Sequence, residues 1–289
     1  MHEYDNFLSL PPAVSDFATA KYAILPVPYE ATVSYKAGTV RGPEAIIDAS
    51  WQVEKLDEEF GREFISAGIA TCKPLPPART PAAQMRRVRR EAQRIFAAGK
   101  FLLTLGGEHS ISAPIVQAAC DHFGPISVLQ IDAHADLRQE YCGTPHSHGS
   151  VMRRILEITG RICQVGIRSY SSEELESCPQ QVKKFITPAV IRRAAKWIDR
   201  ALRLLSDKVY VTIDIDGFDP AYAPGTGTPE PDGLDWHQVT GLLRRVCSRR
   251  QVVGADIVEV RPIPPGHQTE YLAARLAYKI IAYNQATSD

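Results

Sequence analysis

The sequence predicts an α/β fold in which a mostly parallel sheet is covered by helices on both faces, giving three layers. Two observations lead to this prediction: short apolar runs with the character of strands, and longer segments of helical periodicity that alternate with them. This alternation is typical of strand–helix–strand units with a buried parallel sheet. The chain has 289 residues, 44% of them hydrophobic, which is enough for one large core. We therefore expect a single domain over residues 1–289.

Six segments have the length and apolar character of strands. Each is a short apolar run, shorter than a typical helix, and several are rich in β-branched residues. In chain order they are YAILPVP from Tyr22, FLLTLGG from Phe101, ISVLQID from Ile126, RICQVGI from Arg161, KVYVTIDID from Lys208 and VVGADIVEV from Val252.

Three longer segments have helical periodicity. Apolar residues recur at helical spacing from Met85 to Phe96 and leave five arginines mainly on the outer face, which indicates a solvated amphipathic helix rather than a nucleic-acid site. Residues 189–205 predict one helix, and residues 271–283 predict another. The apolar face of the first of these two contains Ile191, Ala194, Ile198, Leu202 and Leu205. The proline-rich residues 72–81 are expected to form a surface loop.

The composition points to a small-molecule partner in the cytoplasm. The 33 Lys and Arg residues balance the 33 Asp and Glu residues, so no net charge attracts nucleic acid or an anionic membrane. The six cysteines lie far apart without a CxxC pair and are expected to be buried thiols in a reducing compartment. No basic leader precedes an apolar stretch at the N-terminus, and no apolar run is long enough to cross a bilayer.

Acidic and histidine residues follow the predicted strands at their carboxyl ends, where open parallel sheets bind ligands. In VLQIDAHAD and KVYVTIDID they occupy alternate positions, so their side chains can point to the same side while the strand geometry lasts. One such acid could cap a helix, but eight residues cannot all be caps. They are Glu108, His109, Asp132, His134, Asp136, Asp214, Asp216 and Glu259.

Four aspartates and two histidines in this set have the chemistry of a metal site. Without cysteine, they favour Mn²⁺ or a similar divalent ion over a structural zinc. Six ligands exceed the needs of one tetrahedral ion, whereas two ions that share bridging carboxylates would use them all. Two ions about 3.5 to 4 Å apart can hold a bridging water and ionise it to hydroxide near neutrality. Such a metal-activated hydroxide is typical of hydrolases.

Several long motifs resemble those of the ureohydrolases, the family of arginase and agmatinase. They are PYEATVSYKAGTVRGPEAI, GGEHS, DAHAD, SHGSVMRR, DIDGFDPAYAPGTGTPEP and DIVEVRP, and they extend over nearly the whole chain. The resemblance implies the arginase-like three-layer fold, two Mn²⁺ ions per subunit, and hydrolysis of a guanidino group to urea and an amine by a bridging hydroxide. It also implies a homo-oligomer, a trimer or a hexamer.

The resemblance assigns roles to individual residues. One metal would be held by His109, Asp132, Asp136 and Asp214, and the other by Asp132, His134, Asp214 and Asp216. Glu259 would bind the guanidinium, as a carboxylate suits its geometry, and His148 would bind substrate and shuttle protons. The expected catalytic residues are therefore His148, Asp136 and Glu259.

Other residues of the motifs have alternative or supporting roles. His146 would replace His148 if the loop is shifted by two residues. Asp219 is expected to shape its loop, Glu108 to orient a metal ligand, and Gly106 and Gly107 to permit a tight turn.

The loop RQEYCGTPHSHG favours agmatine as the substrate, giving putrescine and urea and a place in polyamine biosynthesis. It lacks the asparagine and serine of arginase patterns such as SGNLHG. The alternative is another guanidino compound: guanidinobutyrate, guanidinopropionate, guanidine or arginine. Local departures at Gly217, Phe218 and Glu270 leave this choice open. A zinc deacetylase of the same fold would need a tandem histidine pair, and a non-catalytic scaffold would be expected to have lost a ligand.

Overall fold

The computed structural model describes residues 3–287, and its centre is a sheet of seven parallel strands in the order β4-β1-β5-β9-β8-β6-β7. Two further strands, β2 and β3, form a separate antiparallel pair. The strands are β1 (Tyr22–Val27), β2 (Leu56–Asp57), β3 (Arg62–Glu63), β4 (Ile69–Thr71), β5 (Phe101–Gly106), β6 (Ser127–Ile131), β7 (Ile162–Val165), β8 (Lys208–Asp214) and β9 (Gln251–Val258).

Helices connect the strands and cover both faces of the sheet. They are α1 (Pro12–Ser15), α2 (Gly42–Ser50), α3 (Pro81–Ala97), α4 (Ser112–Phe123), α5 (Val151–Thr159), α6 (Ser172–Ser177), α7 (Pro179–Val182), α8 (Pro188–Arg193), α9 (Trp197–Leu204), α10 (Trp236–Arg249) and α11 (Gln268–Ala286).

The two faces of the sheet pack against different helices. One buried apolar cluster joins the sheet to α2, α9, α10 and α11, and a second joins it to α3, α4 and α5. This confirms the predicted three-layer α/β/α fold with a parallel sheet. Burial on both faces explains why the strands read as nearly continuous apolar runs rather than as alternating patterns.

The six predicted strands are confirmed, but shorter elements were missed. The edge strand β4 has three residues and pairs only with β1, and β2 and β3 have two residues each. Segments this short carry too few positions for a periodic pattern. Lys279 of α11 binds β2 and the turn that leads to β3, because its buried ammonium lies 3.0 Å from Asp57 and 2.9 Å from Glu59.

The prediction of one helix over residues 189–205 is wrong. The backbone is extended at Ala194, with φ −119° and ψ 98°, so α8 ends there and α9 begins at Trp197. In a continuous helix, Trp197 would point roughly 120° away from Ile191. The break turns the second helix, so that Trp197 and Ala201 join Leu202 in the core.

The other two predicted helices are confirmed. In α3, all the apolar positions from Met85 to Phe96 are buried, and four of the five arginines are exposed. Arg87 is half-buried and donates a hydrogen bond to the carbonyl of Pro76 at 2.6 Å, which fastens the proline-rich loop. Helix α11 contains the predicted segment 271–283. Among residues 3–287, no helix combines the length and apolarity that a bilayer span requires.

Candidate metal centre and active-site cavity

The register of the sheet brings sequence-distant residues to one place. Strands β5, β9, β8 and β6 lie side by side at the centre of the sheet. The carboxyl ends of these four strands lie in one row across the sheet. Leu105 pairs with Ile257, Ile257 with Ile213, and Ile213 with Ile131. The residues that follow this row along each strand therefore emerge together. They are His109, Glu259, Asp214 and Asp132.

The His109 cluster consists of His109, Asp132, Asp136 and Asp214, all of them buried. The Nδ1 atom of His109 lies 3.2 Å from Oδ2 of Asp132, 3.3 Å from Oδ2 of Asp136 and 3.4 Å from Oδ2 of Asp214. Although buried, this Nδ1 has no hydrogen-bond partner among residues 3–287. A buried ring nitrogen without a partner, facing three carboxylate oxygens, has the donor set that a divalent cation needs.

The His134 cluster consists of Asp132, His134 and Asp216. Nδ1 of His134 lies 3.0 Å from Oδ2 of Asp216 and 3.7 Å from Oδ1 of Asp132. Asp132 thus presents one oxygen to each cluster, as a bridging ligand would. In each cluster, one ligand atom from each of three residues lies within 4.8 Å of the others. That Asp214 also bridges stays a prediction, because its second oxygen accepts a hydrogen bond from the Asp216 backbone at 3.0 Å.

Crowding favours the protonated forms of Asp132, Asp214 and His134 in the absence of a cation. Burial, together with the nearby Asp136 and Asp216, raises the pKa of Asp132 to about 7. Burial opposes the charge of His134, but Asp216 and the other carboxylates outweigh it and raise its pKa to about 11. Burial and the neighbouring carboxylates also raise the pKa of Asp214. A divalent cation would displace these protons and neutralise the repulsion.

A hydrogen-bonded chain fixes which nitrogen of His109 faces the carboxylates. Nε2 of His109 lies 2.9 Å from Oγ1 of Thr212, and this hydroxyl donates to Asp256 at 2.6 Å. Tyr210 donates to the other oxygen of Asp256 at 2.8 Å. Because the Thr212 proton is directed to Asp256, its oxygen accepts from His109, so Nε2 carries the proton and Nδ1 is free to bind a metal. The sequence had not singled out Thr212, although it precedes Asp214 by two positions on the same face of β8.

Glu259 lies at the carboxyl end of β9 and is half-buried at the wall of a cavity. Its backbone is in the left-handed region, with φ 62°, and its Oε1 accepts a hydrogen bond from the backbone of His109 at 2.8 Å. Burial and the nearby Glu108 raise the pKa of Glu259 to about 8. A cationic group that enters the cavity would favour the ionised carboxylate.

The structure places His148 in this cavity and His146 outside it. Nδ1 of His148 lies 3.0 Å from Oγ1 of Thr32, and the edge of the Tyr141 ring packs against the imidazole at 5.3 Å between centroids. His146 instead lines a separate cleft between α3, α4 and α5. Burial and the nearby Arg154 lower the pKa of His146. Of the two histidines in this loop, His148 therefore lies in the cavity, and its role in proton transfer stays a prediction.

Glu108 does not orient a metal ligand, so that expectation is wrong. Its Oε2 accepts hydrogen bonds from the backbone of Ala31 at 2.7 Å and of Thr32 at 2.6 Å, and its Oε1 accepts from Ser110 at 2.5 Å. The carboxylate thus anchors the loop that presents Thr32 to His148. Gly107 allows this loop to approach, because a Cβ there would lie 2.2 Å from the carbonyl oxygen of Tyr29.

The loop after β8 is shaped by Asp219, as predicted. Its two oxygens accept hydrogen bonds from the backbone of Ala221 and Gly233, each at 2.9 Å. The departures at Gly217 and Phe218 have structural explanations: a Cβ at Gly217 would lie 2.8 Å from the backbone nitrogen of Asp132, and Phe218 is buried in the core. Neither Phe218 nor Glu270, which is buried at the start of α11, lines the cavity.

Arg168 holds the same loop from the other side and was missed in the sequence. Its guanidinium donates to the backbone carbonyls of Asp216 and Glu230 at 2.8 Å each, and its Nε donates to that of Pro231 at 2.8 Å. Within residues 3–287, all hydrogen bonds of the Arg168 guanidinium go to backbone carbonyls, and such an arginine follows no local sequence pattern. It fixes the two ends of the segment that carries Asp216.

The cavity at the carboxyl edge of the sheet has a volume of about 290 Å³, the space of roughly ten water molecules in the liquid. Six carboxylates line it and, besides His134 and His148, two cationic side chains. Both cations are already engaged: Lys36 lies over the ring of Tyr35, and Arg138 lies over the ring of Tyr141 and near Glu173 at 3.5 Å. The lining carboxylates are Glu30, Glu108, Asp136, Glu174, Asp214 and Glu259.

The expected burial of the cysteines is found for only some of them. All six are free thiols, and Cys163, Cys178 and Cys247 are buried. Cys142 is exposed, so the expectation of burial is wrong for this residue. It lies in the loop between Arg138 and His148, and its Sγ lies 3.8 Å from the carbonyl oxygen of Thr32.

Comparisons with known proteins find relatives of this chain in sequence and in structure. A sequence model of the arginase family matches residues 20–282. The N(1)-aminopropylagmatine ureohydrolase of Synechocystis sp. is 37% identical and covers 98% of this chain and 97% of its own length. The agmatinase of Bacillus anthracis is 33% identical over 86% of each chain. The crystal structure of the agmatine ureohydrolase of Thermoplasma volcanium superposes with a TM-score of 0.89 at 33% identity, over 98% of this chain and 95% of that chain.

Proposed function

This chain belongs to the arginase family, and we propose that it hydrolyses the guanidino group of a cationic substrate to urea and an amine. We propose agmatine as a substrate, with putrescine as the second product. The observation that supports this proposal is the cavity itself. Its wall includes members of both clusters, namely His134, Asp136 and Asp214, together with further carboxylates. The lysine and the arginine of the wall both lie over tyrosine rings.

The residues present fit a pair of divalent cations. His109, Asp132, Asp136 and Asp214 would hold one ion, and Asp132, His134, Asp214 and Asp216 the other. We propose Mn²⁺, because oxygen donors from carboxylates combined with imidazole suit it. When bound, such a pair supplies Lewis-acid stabilisation and an activated water as the nucleophile.

The side chains around the clusters divide the remaining tasks. Glu259 would bind the guanidinium through charge-assisted hydrogen bonds and hold its carbon near the clusters. His148 lines the same cavity and is half-buried, so it can exchange protons with solvent and deliver one to the leaving amine. Asp136 lines the cavity as well as facing His109, and we propose it as the acceptor of the proton that the nucleophile loses.

N(1)-aminopropylagmatine is a second candidate substrate. The relatives that are named for it, from Synechocystis sp. and Thermus thermophilus, are 37% and 38% identical to this chain, against 33% for the agmatinase of Bacillus anthracis. The exposed rings of Tyr35 and Tyr170 at the cavity wall leave a path for a longer chain towards solvent. Both candidates carry an ammonium at the end that is not hydrolysed.

Substrates with a carboxylate are expected to be poor. Arginine and guanidinobutyrate would bring an anion against six lining carboxylates, and the two cationic side chains of the wall already contact tyrosine rings. A buried charged group without a partner costs at least about 1 to 3 kcal/mol. Since about 1.4 kcal/mol corresponds to a factor of ten, kcat/KM for these compounds should be lower by an order of magnitude or more.

The test is urea release from a panel of guanidino compounds with Mn²⁺ supplied. The panel contains agmatine, N(1)-aminopropylagmatine, arginine, guanidinobutyrate, guanidinopropionate and guanidine, and kcat/KM is compared at one pH. One of the two cationic polyamine precursors should rank first. An acidic compound in first place would overturn the proposal and would make Arg138 the first residue to replace. The cytoplasmic location, the role in polyamine biosynthesis, and the trimer or hexamer stay predictions.

A further inference from the structure

Three glutamines form a buried chain of hydrogen bonds that ends on Asp132. Gln130 lies on β6, Gln164 on β7 and Gln181 on α7, with exposures of 0%, 1% and 5%. Nε2 of Gln130 donates to Oδ2 of Asp132 at 2.6 Å. Nε2 of Gln164 donates to Oε1 of Gln130 at 2.6 Å, and Nε2 of Gln181 donates to Oε1 of Gln164 at 3.0 Å. We name these three residues the glutamine relay.

The relay can run in only one direction. Asp132 must be ionised to bind a cation, and an ionised carboxylate only accepts hydrogen bonds, so Gln130 must then turn its NH₂ group towards Asp132 and its oxygen away. That oxygen requires the NH₂ group of Gln164, whose own oxygen then requires the NH₂ group of Gln181. The amide dipoles are therefore aligned head to tail, with their positive ends towards the carboxylate.

Backbone carbonyls enforce the same direction. The NH₂ groups also donate to the carbonyl of His134 at 3.2 Å from Gln130, to that of Ala135 at 2.9 Å from Gln164, and to that of Ile162 at 3.3 Å from Gln181. A flipped amide would place an oxygen against another oxygen at each of these points. Two of these carbonyls belong to the segment that carries the metal-binding residues 132–136, so the relay also supports the backbone of that segment.

The relay acts on the oxygen of Asp132 that faces the His109 cluster. This oxygen, Oδ2, lies 3.2 Å from Nδ1 of His109, while Oδ1 accepts a hydrogen bond from the backbone of His134 at 2.6 Å. Each oxygen thus has one donor that fixes the plane of the carboxylate. The donor at Oδ2 is a neutral amide, so it orients the carboxylate without adding a positive charge that would compete with a cation.

We propose that Gln130, Gln164 and Gln181 are positioning residues that hold Asp132 in its bridging orientation and thereby strengthen cation binding. The proposal rests on the metal-dependent function proposed above, but it concerns cation affinity and not the choice of substrate. Partners that orient metal ligands typically change affinity by roughly 10- to 100-fold. Gln130 contacts Asp132 directly, whereas Gln164 and Gln181 act through its orientation, so the effect should decrease along the relay.

A purely structural role makes a different prediction. If the glutamines only satisfied one another in the core, replacing them would lower the stability of the metal-free protein and leave cation affinity unchanged. Gln84 offers a matched control, since it is also fully buried and its oxygen accepts a hydrogen bond from the backbone of Ala78 at 2.7 Å. It lies on α3 and takes no part in either cluster.

The experiment compares Gln130→Met, Gln164→Met, Gln181→Met and the control Gln84→Met. Methionine keeps the length of the side chain but removes the amide. Mn²⁺ is titrated into the full-length protein after treatment with a chelator, without substrate, and the affinity is measured by calorimetry beside thermal unfolding of the metal-free form. Gln130→Met should bind Mn²⁺ roughly 10- to 100-fold more weakly. Gln164→Met should lose less affinity than Gln130→Met, and Gln181→Met should lose least. Gln84→Met should bind normally.

Two further variants separate the relay from a general effect on packing. The double variant of Gln130→Met and Gln164→Met should bind no more weakly than Gln130→Met, because residues of one network are not additive. Gln130→His should recover much of the affinity, since a neutral imidazole offers one donor for Asp132 and one acceptor for Gln164.

Wild-type Mn²⁺ affinity in Gln130→Met would overturn the proposal, as would an equal loss in Gln84→Met. If Gln130→Met does not fold, Gln181→Met at the far end of the relay decides the question, and unchanged affinity there would count against the relay. Because no substrate is present, a failure of the relay is distinguishable from a failure of the proposed ureohydrolase activity, which the substrate panel measures separately.

Discussion

Replacing His148 by alanine is expected to slow turnover without releasing the metal ions. His148 lies in the cavity but outside both clusters of aspartate and histidine, so its removal leaves the cation ligands in place. Its contacts are the hydroxyl of Thr32, at 3.0 Å from Nδ1, and the edge of the Tyr141 ring. These contacts orient the ring and leave Nε2 as the nitrogen that can exchange a proton.

Replacing His148 should lower kcat more than replacing Thr32. A group that transfers a proton in the transition state contributes roughly 10²- to 10⁴-fold, or about 2.7 to 5.4 kcal/mol. Thr32→Val keeps the imidazole but removes the hydroxyl, which contacts Nδ1 at 3.0 Å and accepts a hydrogen bond from the His148 backbone at 3.2 Å. Only the first of these contacts orients the ring directly, and such a bond contributes about 0.5 to 1.5 kcal/mol. His148→Ala should therefore lower kcat by at least a hundredfold, and Thr32→Val by about tenfold at most.

The assay is urea release at saturating Mn²⁺ with the preferred substrate of the panel, together with the metal content of each variant. His146→Ala is the matched control, because this histidine lies in the same loop but lines the separate cleft. Added imidazole should partly restore the activity of His148→Ala. A large loss in His146→Ala with little loss in His148→Ala would refute the reasoning, since it would show that the other histidine of the loop moves the proton.

Three other predictions follow from the contacts of the site and the core. Asp214→Asn should deplete bound metal and lower activity by orders of magnitude, and a variant with two metals and full turnover would rule out this ligand assignment. Thr212→Val should weaken Mn²⁺ binding by roughly 10- to 100-fold because it frees the proton-bearing nitrogen of His109 from its acceptor; Thr212→Ser keeps the hydroxyl and should bind normally in the same titration. Lys279→Met should lower the free energy of unfolding by about 3 to 5 kcal/mol, because it leaves the buried Asp57 without its cation. Thermal and urea unfolding would measure this loss, and an unchanged midpoint would contradict the importance of the ion pair.

The preference for one guanidino substrate depends on the far end of the cavity, which is formed by loops without a periodic pattern. The reacting group meets residues that follow the strands directly, such as Asp132 and Glu259. The far end of the substrate meets loop residues such as Tyr35 and Tyr170, whose positions depend on turns without periodicity. The sequence therefore predicted the class of reaction more closely than the identity of the substrate.

The sequence by itself determined the strands and the candidate ligands. Buried parallel strands need continuous apolar runs, and a residue that directly follows such a run lies at the edge of the sheet where ligands bind. The alternate spacing of Asp132, His134 and Asp136 is local information of the same kind. This spacing does not depend on the order of the strands in the sheet, provided that their carboxyl ends lie at the same edge.

Only the tertiary structure decided which of these residues are neighbours and what supports them. The order β5-β9-β8-β6 places Glu259 beside His109, although 150 residues separate them. Likewise, the glutamine relay joins two strands and a short helix, and Glu108 binds a distant loop rather than a ligand. A polar side chain carries no sign of its partner in the local sequence. Periodicity records which side of an element is buried, whereas the pairing of buried polar groups is settled only when the whole chain packs and each of them must find a hydrogen bond.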